Sequence, residues 1–453
     1  MVTIERLKYA LNAVNPMVQR YISTTFAHGN GPFSRMVDLV IAYNDLREKQ
    51  GLERLPAVFP LVPSYRFKDK ADGSRQIQFM KETAEEAAGK DFLARHPNEL
   101  LLDIEQGRIL ETVFYTGSDF EEALRKFLAG SEQTNEAHRR RIEQGRVVLK
   151  NIKGEDVEID LRDSAIEFGM NNRVATNHPN AFYSNAGAGY FAEVLERATR
   201  MPEVSLDKEL MRRAIPLAEA TSAYQKLHFL TDPGVFSYDP ARERRKSTEM
   251  FTPPHMHVPK PDSTPLPRDG VYVVLTGIQG LADSGVYDVA AKMGLQVYSG
   301  DDAFNAKHNG IKHPPFKIAN PRIRVQVART GWSSVWGVHM LAEHGITMGL
   351  LYPPYDSKDD PEILMDNTGV ARLGLGVEID AKNPQQSLER SLELAENNRL
   401  FNDFLKRFYG TLDGIQYMAE SIVQFENGKS DGTKVKVYPA SAHFASLRES
   451  LFA

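Results

Sequence analysis

Residues 323–379 read IRVQVARTGWSSVWGVHMLAEHGITMGLLYPPYDSKDDPEILMDNTGVARLGLGVEI. The apolar run Ile323 to Val327 has the composition of a strand, and Arg329-Thr330-Gly331-Trp332-Ser333-Ser334 stands where a helix begins. A second strand, Ile346 to Tyr352, ends in a loop rich in Pro and Asp. Strand, turn, helix and strand in this order make one crossover of a parallel sheet, whose ligand crevice lies at the carboxyl ends of the strands. A helix N-terminus presents unpaired N–H groups and partial positive charge, so a diphosphate is its natural ligand. Gly331 lets the backbone approach such a ligand, Ser333 and Ser334 offer hydroxyls, and Arg329 offers a charge-assisted bond. Asp359, Asp360, Glu362 and Asn367, after the next strand, are suited to accept hydrogen bonds from sugar hydroxyls. Trp332 is read as packing, with stacking on a sugar as its rival role.

The same alternation continues on either side. Upstream, GVYVVLTGIQG from Gly270 predicts a strand running into a glycine turn, LADSGVYDVAAKMG a helix, and LQVYSG the next strand. Thr276, Gly277, Gln279 and Gly280 in that turn form a second candidate phosphate loop. Between Tyr238 and Asp269 the chain is so rich in proline that a domain boundary is expected there. The N-terminal half predicts a strand ending near Phe26, a Gly/Asn/Pro turn, a helix buried through Met36, Val37, Val40, Ile41 and Tyr43, and a strand from Ala57 to Val62. From about 91 to 162 polar helices and a hairpin around Lys153-Gly154 read as an insertion, and the alternation resumes from Ala181. Beyond Gln385 the chain is helical through Phe425, with breaks at Gly410 and Gly414. The expected division is 1–265, an N-terminal domain with its insertion; 266–425, a C-terminal doubly wound domain; and a tail, 426–453, packing on the body.

The turn at Arg329–Ser334 resembles the donor-binding motif of nucleotide-sugar glycosyltransferases. Plant natural-product enzymes carry His-Cys-Gly-Trp-Asn-Ser there, followed by a strand, proline, an acidic residue with Gln, and Asn. Here Arg329, Thr330, Gly331, Trp332, Ser333 and Ser334 take the first six places and Asn367 the last, so Arg, Thr and Ser replace the motif's His, Cys and first Asn. Thr276 to Gly280 is similar to the Gly-Gly-Ser-Gln-Gly loop of the peptidoglycan N-acetylglucosaminyltransferase. Gly29-Asn30-Gly31-Pro32-Phe33-Ser34-Arg35 resembles the Gly-x-Gly-His-x-x-Arg turn of several bacterial GT-B transferases, with Pro32 in place of the histidine that serves as base toward the acceptor. His28, on the same turn, is the candidate substitute. The resemblance covers 270–380 well and the first 45 residues loosely.

It implies an α/β fold of the GT-B type: two Rossmann-like domains facing a cleft, with a helical plus β-hairpin insertion in the first. It also implies a hexosyltransferase that moves a sugar from a nucleotide-sugar donor, UDP-sugar above all, to a small-molecule, glycan or lipid-linked acceptor, with inversion and without a metal or other cofactor. Two rivals stand beside it: a GT-B nucleotide-sugar epimerase, and a non-catalytic sugar-nucleotide-binding protein, which Pro32 favours.

Composition narrows the field further. The 453 residues exceed what one core usually supports, so two domains are expected. With 55 basic and 60 acidic side chains the net charge is -5, which gives no global basic field for nucleic acid. No window offers the roughly 18 to 20 apolar residues of a membrane span, and the first residues lack the apolar core of a secretory signal, so a cytoplasmic location is expected. Peripheral contact with a membrane and the oligomeric state are left open. The chain has no cysteine, which excludes disulfides and thiolate chemistry. His255-Met-His257 has the spacing of a weak metal site without a third ligand, and Gly187-x-Gly189-x-x-Ala192 is a lone nominal dinucleotide match. The basic clusters 139–141 and 244–246 read as solvated helix faces.

Overall fold

The computed structural model describes residues 20–26, 30–61, 73–111, 113, 119–170, 181–184, 191–221, 226–231, 236–237, 248–275 and 284–427. The chain divides into two compact units: Met1–Gly117, Arg125–Ser184 and Ala220–Leu227 in the first, and Ser118–Leu124, Asn185–Glu219 and His228–Ala453 in the second. The elements up to residue 184 are β1 (Tyr21–Phe26), α1 (Asn30–Lys49), β2 (Ala57–Pro60), α2 (Ser74–Ala88), α3 (Phe92–Arg95), β3 (Leu100–Asp103), α4 (Ile104–Glu111), α5 (Phe120–Glu143), β4 (Arg146–Asn151), β5 (Asp156–Asp160), β6 (Ser164–Met170) and β7 (Ala181–Ser184). They are followed by α6 (Phe191–Ala198), α7 (Lys208–Thr221), β8 (Leu227–Thr231), β9 (Glu249–Thr252), β10 (Gly270–Val273), α8 (Val286–Lys292), β11 (Gln296–Ser299), α9 (Asp302–His308), β12 (Ile311–Lys312), β13 (Ile323–Val327), α10 (Trp332–Met340), β14 (Gly349–Tyr352), α11 (Pro361–Arg372), β15 (Val377–Glu378), α12 (Pro384–Glu393), α13 (Ala395–Tyr409) and α14 (Gly414–Glu426).

In the first unit the strands are ordered β5-β4-β3-β2-β1-β6-β7. Strands β3, β2, β1, β6 and β7 run parallel, and β4 and β5 add an antiparallel hairpin at the edge. The five apolar positions that predict the first helix, Met36, Val37, Val40, Ile41 and Tyr43, are all buried in α1. The hairpin turns at Lys153-Gly154, where Gly154 takes φ 88°, a left-handed value that costs glycine little. The segment read as an insertion holds the expected helices and hairpin, and it also holds β3, a member of the parallel sheet. All four β3 residues are buried, so the stretch lacks the alternation that marks a half-exposed strand.

The second unit carries a six-stranded sheet, β12-β11-β10-β13-β14-β15, parallel at every pairing. Strands leave β10 in one direction to β11 and β12 and in the other from β13 to β15. That is the doubly wound order 3-2-1-4-5-6, and its topological switch point lies between β10 and β13. Both faces of the sheet are covered: Tyr298, Trp336 and Tyr352 are buried in one cluster and Val271, Val325 and Leu351 in another. Within the proline-rich stretch β9 forms first and pairs with β8; from Pro253 to Asp269 the backbone is neither helix nor strand. Asp262 ties that stretch to the sheet by accepting from Asn320 Nδ2 at 2.8 Å. The predicted helical region past Gln385 forms α12, α13 and α14, with the last break at Gly410–Asp413. Residues 428–453 lie outside the described residues.

A Cβ on Gly349, at the start of β14, would stand 2.3 Å from the Ser391 carbonyl oxygen of α12. Gly349→Ala is therefore expected to destabilise the second unit by about 1–3 kcal/mol, as overpacking against backbone does. Thermal unfolding followed by the fluorescence of Trp332 and Trp336 measures it, and an unchanged melting temperature would contradict the packing described.

Candidate functional site

The turn Arg329–Ser334 leaves the carboxyl end of β13 at the switch point and opens α10, with Gly331 as its N-cap. Among the described residues an added Cβ at Gly331 would meet no atom within 4 Å. Ser333 is exposed and Ser334 half-buried on the first helical turn, whereas Thr330 and Trp332 are buried beneath it. The switch partner β10 ends at Val273, three residues short of Thr276 in sequence. Thr276, Gly277, Gln279 and Gly280 themselves lie outside the described residues.

The loop and helix after β14 are tied to this turn residue by residue. Arg329 pairs with Asp359 at 2.6 Å, Thr330 Oγ1 donates to Asn367 Oδ1 at 2.6 Å, and Trp332 Nε1 donates to Glu362 Oε1 at 2.7 Å. Asp360 caps α11, accepting from the Glu362 amide at 3.0 Å. Ser237 Oγ also donates to Glu362 Oε1, at 3.3 Å. Rings complete the support: Phe236 lies 5.5 Å from Trp332, which stacks on Trp336 at 5.7 Å. The structure thus brings Arg329, Gly331, Trp332, Ser333, Ser334, Asp360, Glu362 and Asn367 to one place. The bonding atoms of Trp332 and Glu362 are engaged with each other, while Arg329 Nε and Asn367 Nδ2 are buried without a hydrogen-bond partner among the described residues.

Asp366 was not singled out by sequence. It is wholly buried on α11, and neither carboxyl oxygen has a hydrogen-bond partner among the described residues. Burial, with the fields of Glu362 and Asp360 added, pushes its carboxyl well above the usual range; Arg329 and Arg197 pull the other way. Burial and Asp360 likewise push Glu362 up to about 7, against the hydrogen bonds from Trp332 and Ser237 and the charge of Arg329. The one available signal for Asp366 was its place four residues after Glu362, on the same helix face.

In the first unit, His28 and Gly29 lie outside the described residues, and nothing is described of the Asn30 side chain. Gly31 opens α1 and Arg35 is buried within it, where burial lowers its guanidinium to about 10 against the field of Asp38. Of the His255-Met-His257 spacing, which lacked a third ligand, His255 Nε2 shares a hydrogen bond with Thr252 and His257 Nδ1 sits 2.9 Å from Asp413. No group of three or more metal-ligating side chains occurs among the described residues. Of the basic run 139–141, Arg139 and Arg140 pair with Glu136, and Arg141 is buried on Asp103. Residues 185–190, with their dinucleotide-like glycines, and 238–247 lie outside the description. No described helix is long and apolar enough to cross a membrane.

No family model and no curated protein matches the chain. Among solved structures it is similar to CalG4, the calicheamicin glycosyltransferase, with a TM-score of 0.50 and 13% identity over 91% of this chain and 100% of that one. The fold is GT-B. Two further similar structures are Arabidopsis thaliana UGT89C1 complexed with UDP-L-rhamnose (TM-score 0.49, 12% identity, 90% of this chain and 100% of that one) and a putative UDP-N-acetylglucosamine 2-epimerase from Listeria monocytogenes (0.48, 9%, 92% and 100%). At such identities the likeness is one of fold, and GT-B says nothing by itself of the reaction.

The raised carboxyls give this GT-B chain a defined pH response. Glu362 and Asp366 hold protons more tightly folded than unfolded, so the stability they contribute is fully present below their ordinary values, 4.5 and 3.8, and is lost as pH rises; for Glu362 the loss runs through about 7. For Glu362 the change amounts to at most about 3.5 kcal/mol at about 1.4 kcal/mol per unit of pKa. Asp366→Asn is expected to raise the melting temperature of the second unit at pH 8, by about 2–4 °C for each kcal/mol recovered. A lower melting temperature at pH 8 would show that the ionised carboxylate is needed for the fold.

Proposed function

We propose that the second unit binds a nucleoside diphosphate sugar, with the diphosphate on the Arg329–Ser334 turn, and that the chain transfers the sugar to an acceptor. The observation that carries this reading is the placing of that turn at the switch point, braced by an acidic helix on one side. Arg329, Ser333 and Ser334 face the diphosphate in this reading; Asp360, with Asn367 Nδ2, serves the sugar, and Thr276, Gly277, Gln279 and Gly280 are assigned to the same donor by their sequence alone. Arg329 exchanges Asp359 for a phosphate oxygen when the donor enters, one ion pair for another.

Transfer needs a base for the acceptor hydroxyl and stabilisation of the departing nucleotide. The turn, with its helix end, serves the second need, which makes a metal dispensable for leaving-group departure. His28 is assigned the first role in this reading, just ahead of α1 in sequence; Asn30, Gly31 and Arg35, expected in an acceptor-side loop, belong to that helix, with Arg35 buried in it. UDP is the nucleotide to try first, and inversion at the anomeric carbon follows from direct displacement.

Thermal unfolding across UDP-, GDP-, ADP-, CMP- and dTDP-sugars tests the donor site, because a ligand of the folded state stabilises it by about 2.7 kcal/mol at a hundredfold excess over Kd. One nucleotide is expected to raise the melting temperature, and Arg329→Ala to cut its affinity at least tenfold. With that sugar nucleotide in hand, acceptor-dependent release of the nucleoside diphosphate marks a transferase, and interconversion of the sugar without acceptor an epimerase. No shift with any nucleotide would remove the reading.

A further inference from the structure

Glu362 Oε1 takes hydrogen bonds from two segments outside its own helix, Trp332 Nε1 at 2.7 Å and Ser237 Oγ at 3.3 Å. Trp332 is the first residue of α10, so a bond to its indole fixes the rotation of that first turn and with it the path of 329–331. The Phe236 ring wedges in behind the indole, and it fits because α11 has a glycine there: a Cβ on Gly369 would stand 2.1 Å from Phe236 Cγ. Carboxylate, indole, ring and glycine therefore interlock α10, α11 and the 236–237 segment. The remaining side-chain oxygens of the acidic segment are differently used. Asp359 holds Arg329, and Asp360 caps its own helix.

We propose that Glu362 is a positioning residue: it touches no ligand, and through Trp332 it holds the Arg329–Ser334 turn in the form that accepts a diphosphate. This inference rests on the nucleotide-binding reading of the turn.

A proton is part of the device. Glu362 faces Asp360 and Asp366 on α11, Arg329 with its partner Asp359 from the turn after β13, and, beside Asp366, Arg197 from α6. The neutral carboxyl still accepts from the indole through its carbonyl oxygen, and it does not repel a polyanion on the neighbouring turn. The ionised form repels it. Diphosphate binding and protonation of Glu362 then favour one another, and by reciprocity affinity falls as pH rises through neutrality.

The chain's two tryptophans, Trp332 and Trp336, both lie in α10 and report binding directly by their emission. The titrant is UDP-glucose, or the glucose ester of whichever nucleotide the panel selects; as a diphosphate diester it keeps its charge between pH 6 and 8. Wild type is expected to bind at least threefold more weakly at pH 8 than at pH 6. Glu362→Gln, which retains an acceptor for the indole, is expected to bind equally at both values and close to wild type at pH 6. Glu362→Leu is expected to bind at least tenfold more weakly at both. Trp332→Phe, which keeps a ring and loses the N–H, is expected to reproduce the leucine variant with Trp336 as reporter, and it answers the question should Glu362→Leu not fold. Binding by Glu362→Leu and Trp332→Phe as tight as wild type would overturn the positioning role and leave the nucleotide site standing. A flat wild-type pH profile would overturn the proton linkage. Absence of binding by wild type at either pH would overturn the nucleotide reading and the inference with it.

Discussion

The second unit turns on a constraint between consecutive crossovers: the residues that open α10 must find their polar partners on the loop and helix that follow the next strand. Arg329, Thr330 and Trp332 bind Asp359, Asn367 and Glu362 in turn. The parallel pairing of β13 with β14 sets the two crossovers side by side, so bonds between residues thirty or more apart in sequence become local in space. Each tie satisfies a buried or half-buried polar group that would otherwise cost on the order of 1–3 kcal/mol. Remove one and its partner is stranded. The turn is held in place by what lies beneath it.

Charge makes the arrangement unusual. Asp359, Asp360, Glu362 and Asp366 gather around Arg329 and Arg197. With both raised carboxyls neutral, two carboxylates and two guanidiniums balance. The buried acids are tolerated because they keep their protons, the ordinary response of a carboxyl denied water. A surface that looks strongly acidic in sequence is thus close to neutral where an anion would approach it.

Much of this was legible from the sequence, for reasons that can be named. β13 spans the residues of its apolar run, and α10 begins at the Gly-Trp step that the turn chemistry indicated. β10, α8, β11 and β14 also followed from alternating β-branched runs and helical spacing, whereas α9, β12 and β15 were not read, and the Pro- and Asp-rich stretch read as a loop carries α11, with Glu362 and Asn367 on it. Other features left no trace. β3 is four buried residues between helices, with no alternation to separate it from a helical turn. Asp366 looks like any charged residue of a helix, because burial depends on α6 and the turn packed against it, and neither is near in sequence. Glu362 was recognisable as part of the site; that its carboxyl faces an indole depends on Gly369 admitting Phe236 behind that ring, a fit set by three separate segments.

The division between the two sides of the turn has an evolutionary consequence. Thr330, Trp332, Glu362 and Asn367 form a matched set, in which a change at one position requires a compensating change at another. Gly331 sits at the opening, where an added Cβ meets no atom of the described residues within 4 Å, so change there leaves the packing below undisturbed. Sequence change in descendants of such a chain can collect at the rim while the lower set is inherited intact, and covariation among lineages should concentrate in the lower set.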